Sequence, residues 1–239
     1  MSDDLAEFLM TRPPTAARPL LGLTVLVVED SRFACEAIRL LCLRSGARIR
    51  RADCLKSARR HLQVYRPTVA IVDLGLPDGS GLDLIFELAS ATPRVPVLFG
   101  TSGHDGMQAA VINAGADGFL AKPIESLAQF QEAILRQLPE AARPTGPRLV
   151  PEDRIIPDPI ALRDDLALVA DVLAARSDGE TLDYIAGFLG GIARSSYDTP
   201  LAAAAAALAD GRAHGREPRL DISRITGLLQ ERLSDGHRF

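Results

Sequence analysis

Four short clusters in the chain carry side chains suited to phosphoryl chemistry: the pair Glu29 and Asp30, the single Asp73, the hydroxyl pair Thr101 and Ser102, and Lys122. Two or three carboxylates brought close together repel one another unless a hard cation sits among them. Mg²⁺ is the natural choice, because it takes carboxylate and carbonyl oxygens and keeps several waters. An ammonium group and a hydroxyl beside that cation would bind phosphoryl oxygens, so catalysis there would rest on position and electrostatics. Asp73 is then the expected nucleophile, the carboxylate role of aspartyl-phosphate chemistry. Lys122 would pair with a phosphoryl oxygen, and Thr101 would donate to one. Singly, each residue has a plainer reading as a helix cap or a solvated strand end; the order of all four is what carries weight.

Those clusters sit at the ends of apolar runs. Residues 24–28, 68–72, 95–99 and 118–121, with a weaker run at 47–51, read as buried parallel strands. Helical periodicity is expected over residues 32–44, 82–89, 106–114 and 127–138 between or after them. Strands alternating with helices predict an α/β fold with a central parallel sheet, and in such sheets ligands bind at the carboxyl edge. Each chemical cluster follows a strand, which places all of them at that edge.

The segments around these residues, VLVVED at 25–30, DLGLPDGSG at 73–81, PVLFGTS at 96–102 and AGADGFLAKP at 114–123, resemble the receiver domain of two-component response regulators. The resemblance covers about half the chain. It implies a flavodoxin-like, five-stranded sheet and transfer of a phosphoryl group onto Asp73 from a histidine kinase or phosphotransfer protein. It also implies Mg²⁺ ligated by Asp30, Asp73 and the backbone carbonyl of Gly75, with Glu29 assisting through water. Phosphoryl contacts would come from Thr101, the Ser102 backbone and Lys122, and Thr101 and Phe119 match the positions that rearrange on activation. Phe119 has the equal reading of a core phenylalanine.

Three further features bear on behaviour. Gly75 and Gly103, each two residues past a site residue, leave the phosphoryl group without a shielding side chain, so a short-lived aspartyl phosphate is expected. Gly100 stands where the family usually has a bulkier residue and is expected to loosen the strand end. His104 reads as loop decoration, with donor selection or pH response as the alternative. The glycines at 75, 79 and 81 lack the spacing of a nucleotide phosphate loop.

The expected organisation is an N-terminal arm at 1–20 with a possible helix at 3–10, a receiver domain at 21–138, a proline-rich linker at 139–159, and a helical domain at 160–239. Helices are expected at 160–175, 181–195, 199–211 and 221–234, with Asp178, Asp198 and Asp221 as N-caps and Gly211 as a stop. Two apolar seams and a run of six alanines at 202–207 favour a small all-α bundle.

From residue 145 onward there are eleven Arg, no Lys and fifteen acidic residues, a net charge of −4. That balance argues against nucleic acid as a partner. Ser223, Arg224 and Arg232 in LDISRITGLLQERL at 220–233 are the conceivable DNA contacts of the alternative reading, a phosphorylation-controlled transcriptional regulator. No GGDEF-like or EAL-like signature appears, and neither His214 nor His237 lies on a helix as a phosphotransfer histidine would. The chain is therefore expected not to be an enzyme, and its helical part to form a homodimer or bind a protein. An inert tail behind a phosphate sink is the third possibility.

Overall, 27 basic and 31 acidic residues and a mean hydropathy of +0.09 exclude a strongly basic or strongly apolar chain. No apolar run approaches the roughly 20 residues that span a bilayer, and the mixed first twelve residues do not read as a secretory signal. A cytoplasmic address without membrane contact is expected. Cys35, Cys42 and Cys54 show no metal or redox spacing and read as small core residues.

Overall fold

A computed structural model describes residues 13–104, 106–145, 153–175 and 178–235. The helix expected at 3–10 and His237 lie outside the described residues.

Five strands form one parallel sheet: β1 (Thr24–Val28), β2 (Arg48–Ala52), β3 (Val69–Asp73), β6 (Val97–Ser102) and β7 (Gly118–Ala121), in the order β2-β1-β3-β6-β7. A small antiparallel hairpin, β4 (Gly75–Leu76) with β5 (Gly79–Ser80), follows the central strand. Helices α1 (Arg32–Ser45), α2 (Leu55–Val64), α3 (Gly81–Ser90), α4 (Gln108–Asn113) and α5 (Leu127–Gln137) complete this half. This is the flavodoxin-like sandwich that the sequence predicts.

Strand side chains alternate between faces, and two cores result. Val25, Val27, Ile71, Val97 and Phe99 pack with Ile38 and Leu41 of α1 and Phe130 and Ile134 of α5. Leu26, Val28, Ala70, Val72 and Leu98 pack on the other face with Leu84, Ile85 and Leu88 of α3, and with Leu55 and Ala58 of α2. Helix α2 escapes the sequence reading because KSARRHLQ is polar and only Leu55 and Ala58 are buried.

Two strands run further than expected. β3 includes Asp73, and β6 includes both Thr101 and Ser102, so the site residues belong to the sheet and not to loops beyond it. Gly100 does not loosen β6. A Cβ there would stand 2.7 Å from both methyls of Val111 and 3.1 Å from Ile85 Cδ1, so the glycine lets α4 and α3 close on the strand.

A third core joins α6 (Pro159–Ala175), α7 (Gly179–Ser195), α8 (Thr199–Ala213) and α9 (Arg219–Asp235). Its apolar seams are Leu166, Val169 and Leu173 on α6, and Leu182, Ile185, Leu189 and Ile192 on α7. Ala204 and Ala205 let α8 approach α7 closely. Asp178 caps α7 by accepting from Thr181 N–H, and Asp198 caps α8 by accepting from Leu201 N–H. Asp221 is not a cap, because α9 begins two residues earlier, and Gly211 does not stop α8, which runs on to Ala213. The described end of the proline-rich stretch is pinned to the first half. Ile155 is buried in its core, Ile155 N–H donates to Glu125 O, and Leu127 N–H donates to Asp153 O.

Candidate functional site

The carboxyl ends of β1, β3, β6 and β7 converge as the sheet topology requires. Asp73 ends the central strand, in register with Thr101 of β6, which in turn faces Leu120 of β7. Glu29 and Asp30 follow β1, and Ser31 starts α1 by accepting from Ala34 N–H. Carboxylate oxygens of Glu29, Asp30 and Asp73 all lie within 4.8 Å of one another. Lys122 Nζ bridges two of them, 2.7 Å from Glu29 Oε2 and 2.7 Å from Asp73 Oδ1. Glu29 and Asp73 are buried, 1% and 6% exposed, while Asp30 is half-buried.

Burial works against each charge here. It pushes the Glu29 carboxyl well above its ordinary value, with Lys122 opposing and Asp73 and Asp30 adding to the rise. Asp30 is raised by burial as well. Burial also disfavours the Lys122 ammonium, but Asp73 and Glu29 outweigh it and hold the group charged. Three carboxylates against one ammonium leave a surplus of negative charge that a divalent cation would offset. The donor set, all oxygen, suits Mg²⁺.

Other site residues hold positions around this centre. Gly75 lines the cavity and its N–H donates to Asp73 Oδ2 at 3.0 Å. Thr101 is fully buried, and its hydroxyl donates to Leu120 O at 2.7 Å, so in this form it is turned to the backbone of β7. Ser102 is buried and its Oγ accepts from His104 N–H. His104 also lines the cavity. Phe119 is half-buried against the α3 face of the sheet. Of the residues conceived as DNA contacts, Arg232 is engaged by Asp198 in a two-armed pair, while Ser223 and Arg224 are exposed on α9.

The sequence reading missed what stands over the site. Helix α7 lies across it, and Gly187, Phe188, Gly191 and Ile192 line the same cavity as Glu29, Asp30, Asp73 and Lys122. Tyr184 donates its hydroxyl to Asp30 Oδ2 at 2.6 Å. Burial and the Asp30 charge both raise the Tyr184 pKa, which keeps the phenol protonated and the donor in place. One turn of α6 adds Asp165, which accepts from Ser31 Oγ (2.8 Å), Arg32 N–H (3.0 Å) and Phe33 N–H (3.0 Å). The unshielded site expected from Gly75 and Gly103 is thus not what is found. A Cβ at Gly103 would stand 2.9 Å from Arg194 Nε and 3.3 Å from Gly191 Cα, so this glycine admits α7.

Comparison with known proteins agrees with the fold of the first half. Residues 25–135 match the response regulator receiver domain. That match makes residues 25–135 a receiver domain by similarity, covers a little under half of the chain and does not extend to the helical part. The virulence transcriptional regulatory protein PhoP of Salmonella typhimurium is 36% identical over 117 residues, which are 47% of this chain and 52% of that protein. The transcriptional regulatory protein PhoP of Escherichia coli O157:H7 is 34% identical over 116 residues, with the same coverage of each chain. The chain therefore spans about half the length of these relatives.

Among solved structures, a response regulator of Chloroflexus aurantiacus matches with 26% identity and a TM-score of 0.42, over 48% of this chain and 93% of that one. The receiver domain of a Pseudomonas aeruginosa sensor histidine kinase, solved with a magnesium ion in its active-site cleft, matches with 24% identity and a TM-score of 0.43, over 48% and 96%. The curated relatives are named as transcriptional regulators, so they lend no support to the expectation that nucleic acid is not a partner. Among the described residues no helix is long and apolar enough to cross a membrane.

Proposed function

We propose that Asp73 accepts a phosphoryl group from a histidine kinase or phosphotransfer protein, and that its phosphorylation controls what the helical part does. The observation that supports this best is the trio Glu29, Asp30 and Asp73 drawn within 4.8 Å, with Lys122 bridging Asp73 and Glu29. An Asp73 oxygen forms the new O–P bond as the donor's bond to phosphorus breaks, its electron pair leaving with the donor. Asp30, Asp73 and the Gly75 carbonyl would hold Mg²⁺, and Glu29 would support it through water. When bound, the cation offsets negative charge on the phosphoryl oxygens.

Lys122, already beside Asp73, would keep one phosphoryl oxygen paired, and the Ser102 backbone would donate to another. Thr101 would leave the Leu120 carbonyl to donate to the phosphoryl group, and Phe119 would follow as β7 adjusts. That exchange of partners is the switch. The helical part then acts as a protein-interaction or dimerisation module of a cytoplasmic, non-enzymatic regulator.

The test is the mass of the chain after incubation with Mg²⁺ and a small phosphodonor. A gain of one phosphoryl group that Asp73→Asn abolishes is expected; no gain in the wild type refutes the assignment. The naming of the relatives as transcriptional regulators favours a second reading, control of DNA binding. Binding of the phosphorylated chain to random duplex DNA, weakening steeply as salt rises, would favour it over the protein-interaction reading.

A further inference from the structure

We infer that the α6–α7 hairpin is a built-in cap on the phosphoacceptor site, held shut by Tyr184 on Asp30 and by Asp165 on the start of α1, which cation and donor must displace. This rests on Asp73 being the phosphoacceptor, and it adds how access to that residue is governed.

Three independent observations converge. First, access is closed. With Asp73 6% exposed, the space left between α7 and the carboxylates is about 50 Å³. That is room for a few waters, and a donor's side chain cannot share it with Gly187, Phe188, Gly191 and Ile192. Second, the cap uses the chemistry of the site itself. The Tyr184 hydroxyl is committed to Asp30 Oδ2 at 2.6 Å, an oxygen that a cation would also need. Its ring stacks on Phe188, centroids 5.6 Å apart, so the hydroxyl is held in place by the helix that does the covering.

Third, the two surfaces fit in detail. Asp165 supplies an acceptor to Arg32 N–H and Phe33 N–H, first-turn groups that no acceptor within α1 can serve. Gly103 removes the side chain that would collide with Arg194 and Gly191. Arg32 with Asp164 (2.7 Å) and the Tyr197 hydroxyl with Glu125 (2.8 Å) close the rim.

Two consequences follow by linkage. Mg²⁺ binds the open form better than the capped form, so the cation and the cap oppose each other. Phosphorylation, which fills the cavity, frees the α6–α7 face. The face that binds the receiver part is then the one offered to a partner.

The experiment is calorimetric titration of Mg²⁺ into wild type and Tyr184→Phe, each checked for native circular dichroism. The variant keeps the ring stack and loses only the hydroxyl. Mg²⁺ affinity about tenfold higher in Tyr184→Phe is expected, from the loss of one hydrogen bond to an ionised group. In the wild type, saturating Mg²⁺ should also speed amide exchange at Arg32 and Phe33, the bonds made by Asp165. Equal affinities, or Arg32 and Phe33 exchange indifferent to Mg²⁺, overturn the cap. Mass after incubation with the small phosphodonor separates the two ideas. A variant with tighter Mg²⁺ and no phosphoryl gain leaves the cap standing and sinks the phosphoacceptor. Phosphoryl gain at equal rate, with equal Mg²⁺ affinity in both proteins, does the reverse.

Discussion

Asp165→Ala should raise the rate at which Asp73 is phosphorylated, although Asp165 lies on α6 and takes no part in the chemistry. The Asp165 carboxylate is fully buried and accepts three hydrogen bonds, from Ser31 Oγ, Arg32 N–H and Phe33 N–H. Each bond to an ionised acceptor contributes ~1.5–3 kcal/mol, and bonds sharing one carboxylate do not add in full. Burial works against the Asp165 charge and outweighs these bonds, raising its pKa, so with ~3 kcal/mol as the upper figure for the three together their loss moves the ratio of capped to open chain by at most about two decades. The receiver part should survive, because Ser31 Oγ still caps α1 through Ala34 N–H at 3.0 Å. If Asp73 is reachable only while the cap is off, the rate from a small donor rises in proportion to the open fraction, up to about a hundredfold. The assay follows incorporation by mass spectrometry over time at fixed Mg²⁺. A rate unchanged or lower in a variant that keeps native circular dichroism would refute the reasoning, since removing a bond outside the chemistry would then not have opened the site.

Gly100→Ala should cost about 1–3 kcal/mol through overpacking, because its Cβ would press on the stiff, buried Val111 at 2.7 Å; calorimetry should show a drop of about 2–4 °C per kcal/mol, and an unchanged midpoint would contradict the packing account. Burial pushes the Cys35 thiol up to about 11 and Cys42 up to about 12, while Cys54 is half-buried. Iodoacetamide at neutral pH should therefore modify Cys54 alone in the native chain and all three cysteines after denaturation, read by peptide mapping. Burial works against the Asp198 charge, but Arg232 and the Leu201 N–H outweigh it and hold the carboxyl below its usual range. Its contribution is thus present above the unfolded value of about 3.9 and fades as pH falls through the lower native value. Asn keeps the cap and loses the charge pair, so urea unfolding should find Asp198→Asn destabilised by up to ~1 kcal/mol near neutral pH, with the gap to wild type closing in acid; a gap independent of pH would count against the pair.

What the sequence made legible follows from what each signal depends on. β1 and β7 appear at their expected bounds because uninterrupted apolar runs leave little choice. β3 and β6 run past theirs, since polar residues at a functional edge, Asp73, Thr101 and Ser102, look like the end of a strand when they are its last rungs. Helix α2 hid for the opposite reason: it buries two residues and presents the rest to water, so its apolar stripe is too thin to stand out. Strand order predicts Lys122 at the same sheet edge as Asp73, where it lies 2.7 Å from Asp73 Oδ1; its second bond, to Glu29, has no signal in the sequence pattern.

The cap is a harder case, since it is a contact between parts of the chain more than a hundred residues apart, and no local pattern encodes that. Two marks were nonetheless present. Asp165 stands one position before Leu166 on the buried stripe of α6, where a charge is costly without partners. On α7, Tyr184, Gly187, Phe188 and Gly191 repeat at helical spacing beside the seam of Leu182, Ile185, Leu189 and Ile192; Tyr184 and Phe188 also touch the bundle core, while the two glycines lie on the side turned to the site. A Cβ at Gly187 or Gly191 would meet nothing within 4 Å, so these glycines leave the cavity its room, and the close approach of α7 is marked instead by Gly103 on the receiver part. Read singly, Gly103 suggests an open site; beside Arg194 and Gly191 it is where α7 comes near in the resting chain. α7 closes over Asp30 and Asp73 through Tyr184 and the cavity lined by Gly187 and Gly191, so whatever partner the helical part serves, the unphosphorylated receiver is the first surface it binds.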